Sequence, residues 1–244
     1  MIPVVFLGPS LARADAEAVL PADYRPPVRQ GDVYRAVRDG ARLIGIVDGC
    51  FHDVPSVWHK EILFALHEGA AVMGAASMGA LRAAELHAFG MEGVGAVFEA
   101  FRDGRLTDDD EVAVQHGPAE LGYPALSEAL VNIRATLAAA ERAGVIDGAL
   151  RAELESLGKA LFYPERSWGA LLAGARARAL PAEPLSTLEA WLPANRVNQK
   201  RSDALALLEA LRHRTAQPAR PAPRFRFEPT EIWQRFVEQQ NRPG

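Results

Sequence analysis

The chain has 244 residues, of which 49% are hydrophobic and 24% charged, a balance typical of a globular protein that buries a core. The formal net charge of −4 excludes a general nucleic-acid-binding footprint. The single cysteine, Cys50, excludes an internal disulfide and a cysteine-only metal site, and it is compatible with the reducing cytoplasm in which we expect the protein. The apolar N-terminal segment breaks at Gly8-Pro9, and no stretch approaches the about 20 apolar residues of a membrane helix, so we expect no membrane insertion.

The first third of the chain alternates between short apolar runs and helical patterns. The runs are predicted strands at residues 4–7, 43–47 and 71–74, and the helices that follow are predicted at 12–20, 57–67 and 78–89. Ser56 is the expected N-cap of the second helix, and Gly90 is the expected C′ residue of the third. Short continuous runs suit strands that are buried on both faces, so the pattern predicts a parallel α/β unit with right-handed crossovers.

The remainder of the chain has a mainly helical pattern. We predict helices at 93–101, 127–143, 150–161, 168–180, 185–192, 202–213 and 230–239, and a short strand at 112–114. Pro181, Pro184 and Pro193 are expected to separate some of these helices. The fold class is therefore α/β, with an N-terminal parallel-sheet unit followed by a mainly helical C-terminal region.

Composition divides the chain into three predicted parts. Residues 1–145 form the α/β core, residues 146–213 form the helical region, and residues 214–244 form an Arg/Pro-rich linker with a short helix. We expect that last helix to dock on a partner protein, on a neighbouring subunit of a homo-oligomer, or on its own domain.

Polar residues follow the predicted strands at the edge where ligands bind in parallel sheets. Ser10 follows the first strand, Asp48 and Gly49 follow the second, and Ser77 follows the third. Because ligands lie outside the carboxyl ends of such strands, these residues are expected to meet in one cleft.

Ser77 lies in the sequence Ala75-Ala76-Ser77-Met78-Gly79, which is close to the Gly-x-Ser-x-Gly nucleophile elbow. Small neighbours permit a tight strand-to-helix turn that exposes the hydroxyl, and the amides of Met78 and Gly79 could bind an anion or a developing oxyanion. The alternative is an N-cap serine worth about 1 kcal/mol.

The predicted helix before Ser77 begins with three ionisable residues. His59 is a candidate general base, Lys60 a candidate anion ligand, and Glu61 a third candidate for the site. The alternative is a solvated first turn in which the helix dipole favours Glu61. Arg82 and Glu85 lie three residues apart on the helix after Ser77, so they are expected to pair, and Arg82 is expected to reach toward the helix start.

Other signals are weaker. The acidic run at residues 108–111 is better explained by capping or a solvated turn than by a metal, because no spaced His or Cys residues accompany it, and we predict no metal and no cofactor. His116 is a loose candidate for acid–base chemistry. Cys50 could carry a persulfide but is more often inert core in such a setting. A phosphate pocket at Gly8-Pro9-Ser10 lacks the glycine-rich motif that would support it.

Four segments resemble the TfuA-like family: VFLGPSL, IVDG, the long run SVWHKEILFALHEGAAVMGAASMGALRAAELHAFGMEGVG, and DDDEVAVQHG. The resemblance covers roughly residues 3–120 and does not extend to the later helices or the tail. It implies a partner of YcaO enzymes, which use ATP to activate a backbone amide oxygen of a ribosomally made peptide or protein. Sulfur then replaces that oxygen and gives a thioamide.

The resemblance also implies a source for the sulfur. A TfuA-like protein is expected to engage the YcaO enzyme and to release or deliver sulfide from a ubiquitin-like sulfur carrier protein that ends in a thiocarboxylate. Release is acyl transfer at a carbonyl, which requires a nucleophile or activated water, a base and oxyanion donors. Ser77, His59 and the amides of the following helix could fill these roles, with Lys60 or Arg82 offsetting the negative charge. The alternative is a non-catalytic adaptor that binds and supports the YcaO enzyme.

Overall fold

The structure is a computed structural model that describes residues 2–51, 54–215 and 225–241. One five-stranded sheet has the order β2-β1-β3-β4-β5, and all of its neighbouring strands are parallel. The strands are β1 (Val4–Phe6), β2 (Asp23–Arg25), β3 (Leu43–Ile46), β4 (Ala71–Ala75) and β5 (Glu92–Val94). The predicted parallel α/β unit, followed by a mainly helical region, is confirmed.

Eleven α-helices surround and extend this sheet within the described ranges. They are α1 (Arg13–Val19), α2 (Asp32–Arg38), α3 (His59–His67), α4 (Met78–Leu86), α5 (Ala96–Arg102), α6 (Leu130–Arg142), α7 (Gly148–Ala160), α8 (Trp168–Ala177), α9 (Ala182–Asn195), α10 (Gln199–Thr215) and α11 (Glu231–Gln240). Gly90 adopts φ 109° after the short 3-10 turn that ends α4, as its predicted C′ role requires. In the part of the chain that the structure describes, no helix is both long and apolar enough to cross a membrane.

The three central strands are buried on both faces, which explains their continuous apolar runs. Helices α2 to α5 cover one face of the sheet, where Ile62 and Val97 pack around Ile44. The other face is covered by α1 and α10, whose Leu207 and Leu211 pack against Val5. The last long helix of the chain therefore returns to the sheet.

Helices α6 to α9 form a second core of their own, built mainly from leucines. Helix α11 packs on the α/β core through Trp233 and Phe236. These rings contact Tyr34 of α2, Phe64 of α3 and Trp58, the residue just before α3. Three docking sites were considered for the C-terminal helix, and in the structure the helix packs on its own domain. Residues 216–224 of the predicted linker lie outside the described residues.

Several predicted elements were wrong in the sheet region. Strand β2 and helix α2 were not predicted; β2 is an edge strand of three residues, too short for a clear alternating pattern. The predicted helix at 93–101 is instead β5 followed by α5, and Gly95 at φ 92° makes the turn between them. The predicted strand at 112–114 is irregular and follows a 3-10 turn.

Two predictions about helix starts and prolines were also wrong. Helix α3 begins at His59 rather than at Val57, and Ser56 does not cap it because the Ser56 hydroxyl donates to the Cys50 carbonyl. Pro184 and Pro193 lie inside α9 rather than between helices. Pro184 is in the first turn, where a missing N–H costs no helical hydrogen bond, and Pro193 is close to the last residue.

Candidate active site

Asp48 joins the ends of β1 and β3 at the carboxyl edge of the sheet. The carboxylate is buried, and its Oδ2 accepts from the amides of Gly8 (2.9 Å) and Ser10 (3.1 Å). Its Oδ1 accepts from the Ser10 hydroxyl at 2.6 Å. The expected meeting of Ser10 and Asp48 is therefore present as a hydrogen-bonded pair that fixes the loop after β1.

Ser77 follows a strained turn between β4 and α4. Ala76 has φ 65°, and the Ser77 amide donates to the Ala75 carbonyl at 2.7 Å across it. This is a γ-turn with positive φ at its centre, a conformation that costs about 1–3 kcal/mol and is concentrated at functional sites. Ser77 occupies the N-cap position of α4, but its side chain makes no capping hydrogen bond. The hydroxyl is thus available for something other than capping.

The small residues around Ser77 are required by close backbone packing. A Cβ atom on Gly79 would lie 1.8 Å from the Ile46 carbonyl oxygen, and one on Gly74 would lie 2.1 Å from the Gly79 carbonyl oxygen. The elbow-like motif therefore lets α4 start directly against β3 and β4.

The first amides of α4 are only partly available for an anion. The Gly79 amide donates to the Val47 carbonyl at 3.2 Å, and the amides of Ala80 and Leu81 donate to the Ser77 carbonyl. Among the described residues, the Met78 amide has no backbone acceptor. Met78, rather than Gly79, is therefore the expected oxyanion donor.

Ser77 and Asp48 line one cavity of about 260 Å³ outside the strand ends. Gly49 and Cys50 line it from the end of β3, and His116, Tyr163 and Lys200 close it from later in the chain. The cleft predicted from the strand ends thus exists, and its walls are completed by segments far away in sequence.

Lys200, at the start of α10, is a charged cavity residue that the sequence did not single out. Its side chain is 4% exposed, and its Nζ donates to the Val112 carbonyl at 2.8 Å and lies 3.9 Å from Asp48 Oδ1. Burial lowers the pKa of the Lys200 amine, although the charge of Asp48 opposes this. The available signal was helical spacing, since Lys200 falls on the same stripe as Ala204, Leu207 and Leu211 and so had to face the core.

His59, Arg82 and Glu85 form a separate cluster on the outer side of α3 and α4. Glu85 Oε2 lies 2.7 Å from His59 Nε2 and 2.8 Å from Arg82 Nη1, as the predicted pairing of Arg82 and Glu85 requires. Partial burial opposes ionisation, but His59 and Arg82 lower the pKa of Glu85 below its ordinary value. Arg82 and Glu85 border a hollow of about 340 Å³ on this side, and His59 does not line the Ser77 cavity.

Lys60 and Glu61 also have partners outside the cavity. The Lys60 Nζ donates to the Thr230 hydroxyl at 3.0 Å and lies 5.5 Å from the Phe227 ring centre. Glu61 is buried and accepts from the amides of Gly31 (2.8 Å), Trp58 (3.1 Å) and Tyr34 (3.3 Å), and this burial raises its pKa despite those hydrogen bonds. Lys60 holds the C-terminal segment, and Glu61 fixes α2 to α3.

The acidic run at 108–111 pairs with cations. Asp110 accepts from the buried Arg166, and Glu111 accepts two hydrogen bonds from Arg134. Within residues 2–51, 54–215 and 225–241, no group of three or more His, Cys, Asp or Glu side chains could hold a metal ion. These carboxylates connect the segment at residues 108–111 to α6 and to the residues just before α8.

Several residues that line the cavity lie in the part of the chain that a protein-family model matches. No curated protein matches the chain. The family model of the TfuA-like protein matches residues 48–167, a range that contains Asp48, Ser77, His116 and Tyr163 of the cavity but neither Pro9 nor Lys200. The family predicted from the sequence is therefore confirmed, but the matched range begins and ends later than the predicted 3–120: it leaves out β1 to β3 and includes α6 and α7. Residues 48–167 are a TfuA-like region.

Proposed function

We propose that this protein supports YcaO-dependent thioamide formation in a ribosomally synthesised peptide or protein by releasing sulfide from a thiocarboxylated sulfur carrier. The TfuA-like region supports the class of process. The observation that carries the hydrolytic step is the uncapped Ser77 hydroxyl on a strained turn beside a cavity. No cofactor is required.

The chemistry proceeds in two acyl transfers. The Ser77 Oγ attacks the thiocarboxylate carbon and loses its proton, the Met78 amide donates to the resulting oxyanion, and the carbon–sulfur bond breaks to release hydrosulfide. Water then attacks the Ser77 ester, which releases the carrier carboxylate and restores the hydroxyl. The balance is one thiocarboxylate and one water converted into one carboxylate and one hydrogen sulfide.

Lys200 supplies the charge and the proton that this reaction needs. A thiocarboxylate is an anion, and a buried cation offsets its charge more strongly than a surface cation would. Because burial lowers the pKa of Lys200, its amine exchanges a proton closer to neutral pH than an ordinary lysine does. We assign Lys200 to proton transfer between Ser77 and the departing sulfur, the role that His59 had been expected to fill.

The test is sulfide release from a thiocarboxylated carrier in the absence of any YcaO enzyme. We expect release by the intact protein and a loss of at least about 100-fold in Ser77→Ala, as is common when a nucleophile is removed. Ser186→Ala is the matched control, because the Ser186 hydroxyl only donates to the Ala182 carbonyl on an exposed face of α9.

Three other outcomes would each contradict part of the proposal. No release by the intact protein would favour the non-catalytic adaptor. Full release by Ser77→Ala would leave an enzyme whose nucleophile is water or another group. Loss of release in Cys50→Ala, with Ser77→Ala unaffected, would identify Cys50 as the nucleophile, which would release hydrosulfide through a Cys50 thioester that water then hydrolyses.

A further inference from the structure

A second hollow of about 400 Å³ lies against the Ser77 cavity, and we call it the donor groove. It is lined at one end by Pro9, Val114 and Lys200, which also line the Ser77 cavity. The two spaces therefore share a wall at Lys200.

Two buried donors beside the groove have no acceptor. Arg166 Nε and Trp168 Nε1 make no hydrogen bond in the part of the chain that the structure describes, although Arg166 is fully buried and Trp168 is 6% exposed. The other Arg166 nitrogens are occupied by Asp110 and the Leu161 carbonyl. A buried donor without an acceptor costs about 1–3 kcal/mol, so a ligand that brings acceptors to these residues is favoured.

The start of α8 adds more donors to the same wall. Ser167, Trp168 and Gly169 line the groove at the first turn of this ten-residue helix, where the amides of Trp168 and Gly169 have no intrahelical partner. Arg196 is exposed there and makes no ion pair with the described residues. Among the described residues that line the groove, Glu128 is the one carboxylate and Arg166, Arg196 and Lys200 are cations, so the groove favours a ligand rich in carbonyl or carboxylate oxygens.

Exposed apolar side chains near the openings indicate that the ligand belongs to a protein. Leu126 lines the donor groove and is 63% exposed, and Phe162 is 61% exposed next to Tyr163 of the Ser77 cavity. A small anion would leave both in water, whereas a folded partner at the surface would cover them.

We propose that the donor groove holds the extended C-terminal tail of the sulfur carrier, and this rests on the function proposed above. The tail carbonyls accept from Trp168, from Arg196 and from the first amides of α8, and the carrier body covers Leu126 and Phe162. The anionic end passes Lys200 and reaches Ser77. An extended segment of main chain suits the groove because it presents a carbonyl oxygen at every residue to the donors along this wall.

The test measures binding of a ubiquitin-like sulfur carrier in its carboxylate form to the full chain by titration calorimetry. We expect binding to be lost when the last four residues of the carrier are removed. Arg196→Gln and Trp168→Phe should each weaken binding by about 3- to 10-fold, since each removes one donor to the tail. The phenylalanine ring keeps most of the packing of Trp168, and thermal unfolding of each variant verifies its fold.

Arg178→Gln is the matched control, because Arg178 is an exposed arginine without an ion pair among the described residues at the opposite end of α8. It should bind like the intact protein. Unchanged binding to the truncated carrier, or parent-like binding by both groove variants, would overturn the proposal. So would complete displacement of the carrier by millimolar phosphate or acetate, which would identify a small-anion site.

The inference and the proposed function fail separately. Sulfide release from thioacetate, a small thioacid, needs Ser77 but not the donor groove. One combination of results would refute the groove and keep the function. In it, release from thioacetate depends on Ser77, and Trp168→Phe has an unchanged KM for the carrier. Tail-dependent binding of the carrier without release of sulfide would refute the function and keep the groove.

Discussion

Replacement of Lys200 by methionine tests the central electrostatic feature of the cavity. Methionine fills a similar volume without the amine, so the variant removes a buried cation and leaves the Val112 carbonyl without its donor. The lost donor costs about 1–3 kcal/mol, whereas removal of a poorly solvated charge offsets part or all of this. Because these terms oppose one another, the informative quantity is how the difference in stability between the two proteins depends on pH.

Burial lowers the pKa of Lys200 in the folded state below the value of about 10.4 expected in the unfolded chain. Between these two pKa values the unfolded state binds more protons, so the stability of the intact protein rises with pH. One proton limits the slope to about 1.4 kcal/mol per pH unit. Lys200→Met lacks this contribution, and we expect the intact protein to gain stability relative to the variant as pH increases.

Urea unfolding of both proteins from pH 7 to pH 10.5 measures this difference. Lys159→Met is the control: burial alone lowers the pKa of Lys159, but hydrogen bonds to Asp110 and Asp108 raise it overall. A raised lysine pKa contributes stability that is lost only above the unfolded value, so this variant should show no such slope below about pH 10. A constant difference between the intact protein and Lys200→Met across the whole range would refute the assignment of a poorly solvated amine.

Further variants test the packing around the site and at the C-terminus. Gly79→Ala should destabilise the protein by about 3 kcal/mol or more in urea unfolding, because its Cβ would meet the Ile46 carbonyl, whereas Gly174→Ala meets only ordinary contacts inside α8 and should stabilise it by about 0.5–1 kcal/mol. Equal stability of these two variants would contradict the close approach of α4 to β3. Trp233→Ala should release α11 or cost about 3–5 kcal/mol, and Ile232→Ala, exposed on the same helix, should stay within about 0.5 kcal/mol. Limited proteolysis near α11 checks the pair, and equal resistance of both would count against the aromatic cluster.

The sequence was informative where neighbouring residues carry the whole signal. The apolar runs that became β1, β3 and β4 needed no knowledge of their partners, because strands buried on both faces are apolar throughout. The motif around Ser77 indicated a tight turn because the small residues that permit such a turn are its direct neighbours in the chain. Its glycines are required by contacts of under 2.5 Å that any Cβ would make.

The sequence was misleading for polar side chains on a helix, because the side chain can lie on the cleft side of the helix or on another side. His59 and Lys60 follow the second strand in the chain and are natural candidates for the cleft, yet the helix starts two residues later than predicted and turns them toward Glu85 and Thr230. A shift of one residue rotates a helical side chain by about 100°, so a small boundary error changes the surface that it joins.

The sequence by itself determined the parallel α/β class, the βα turn at Ser77 and the TfuA-like region, since each depends on local spacing or on a contiguous motif. Only the tertiary structure decided which residues enclose the serine. Lys200 and Tyr163 join Asp48 and Ser77 because α10 returns to cover the sheet and the segment before α8 closes the strand ends. Such contacts depend on packing between distant segments, which no local pattern encodes.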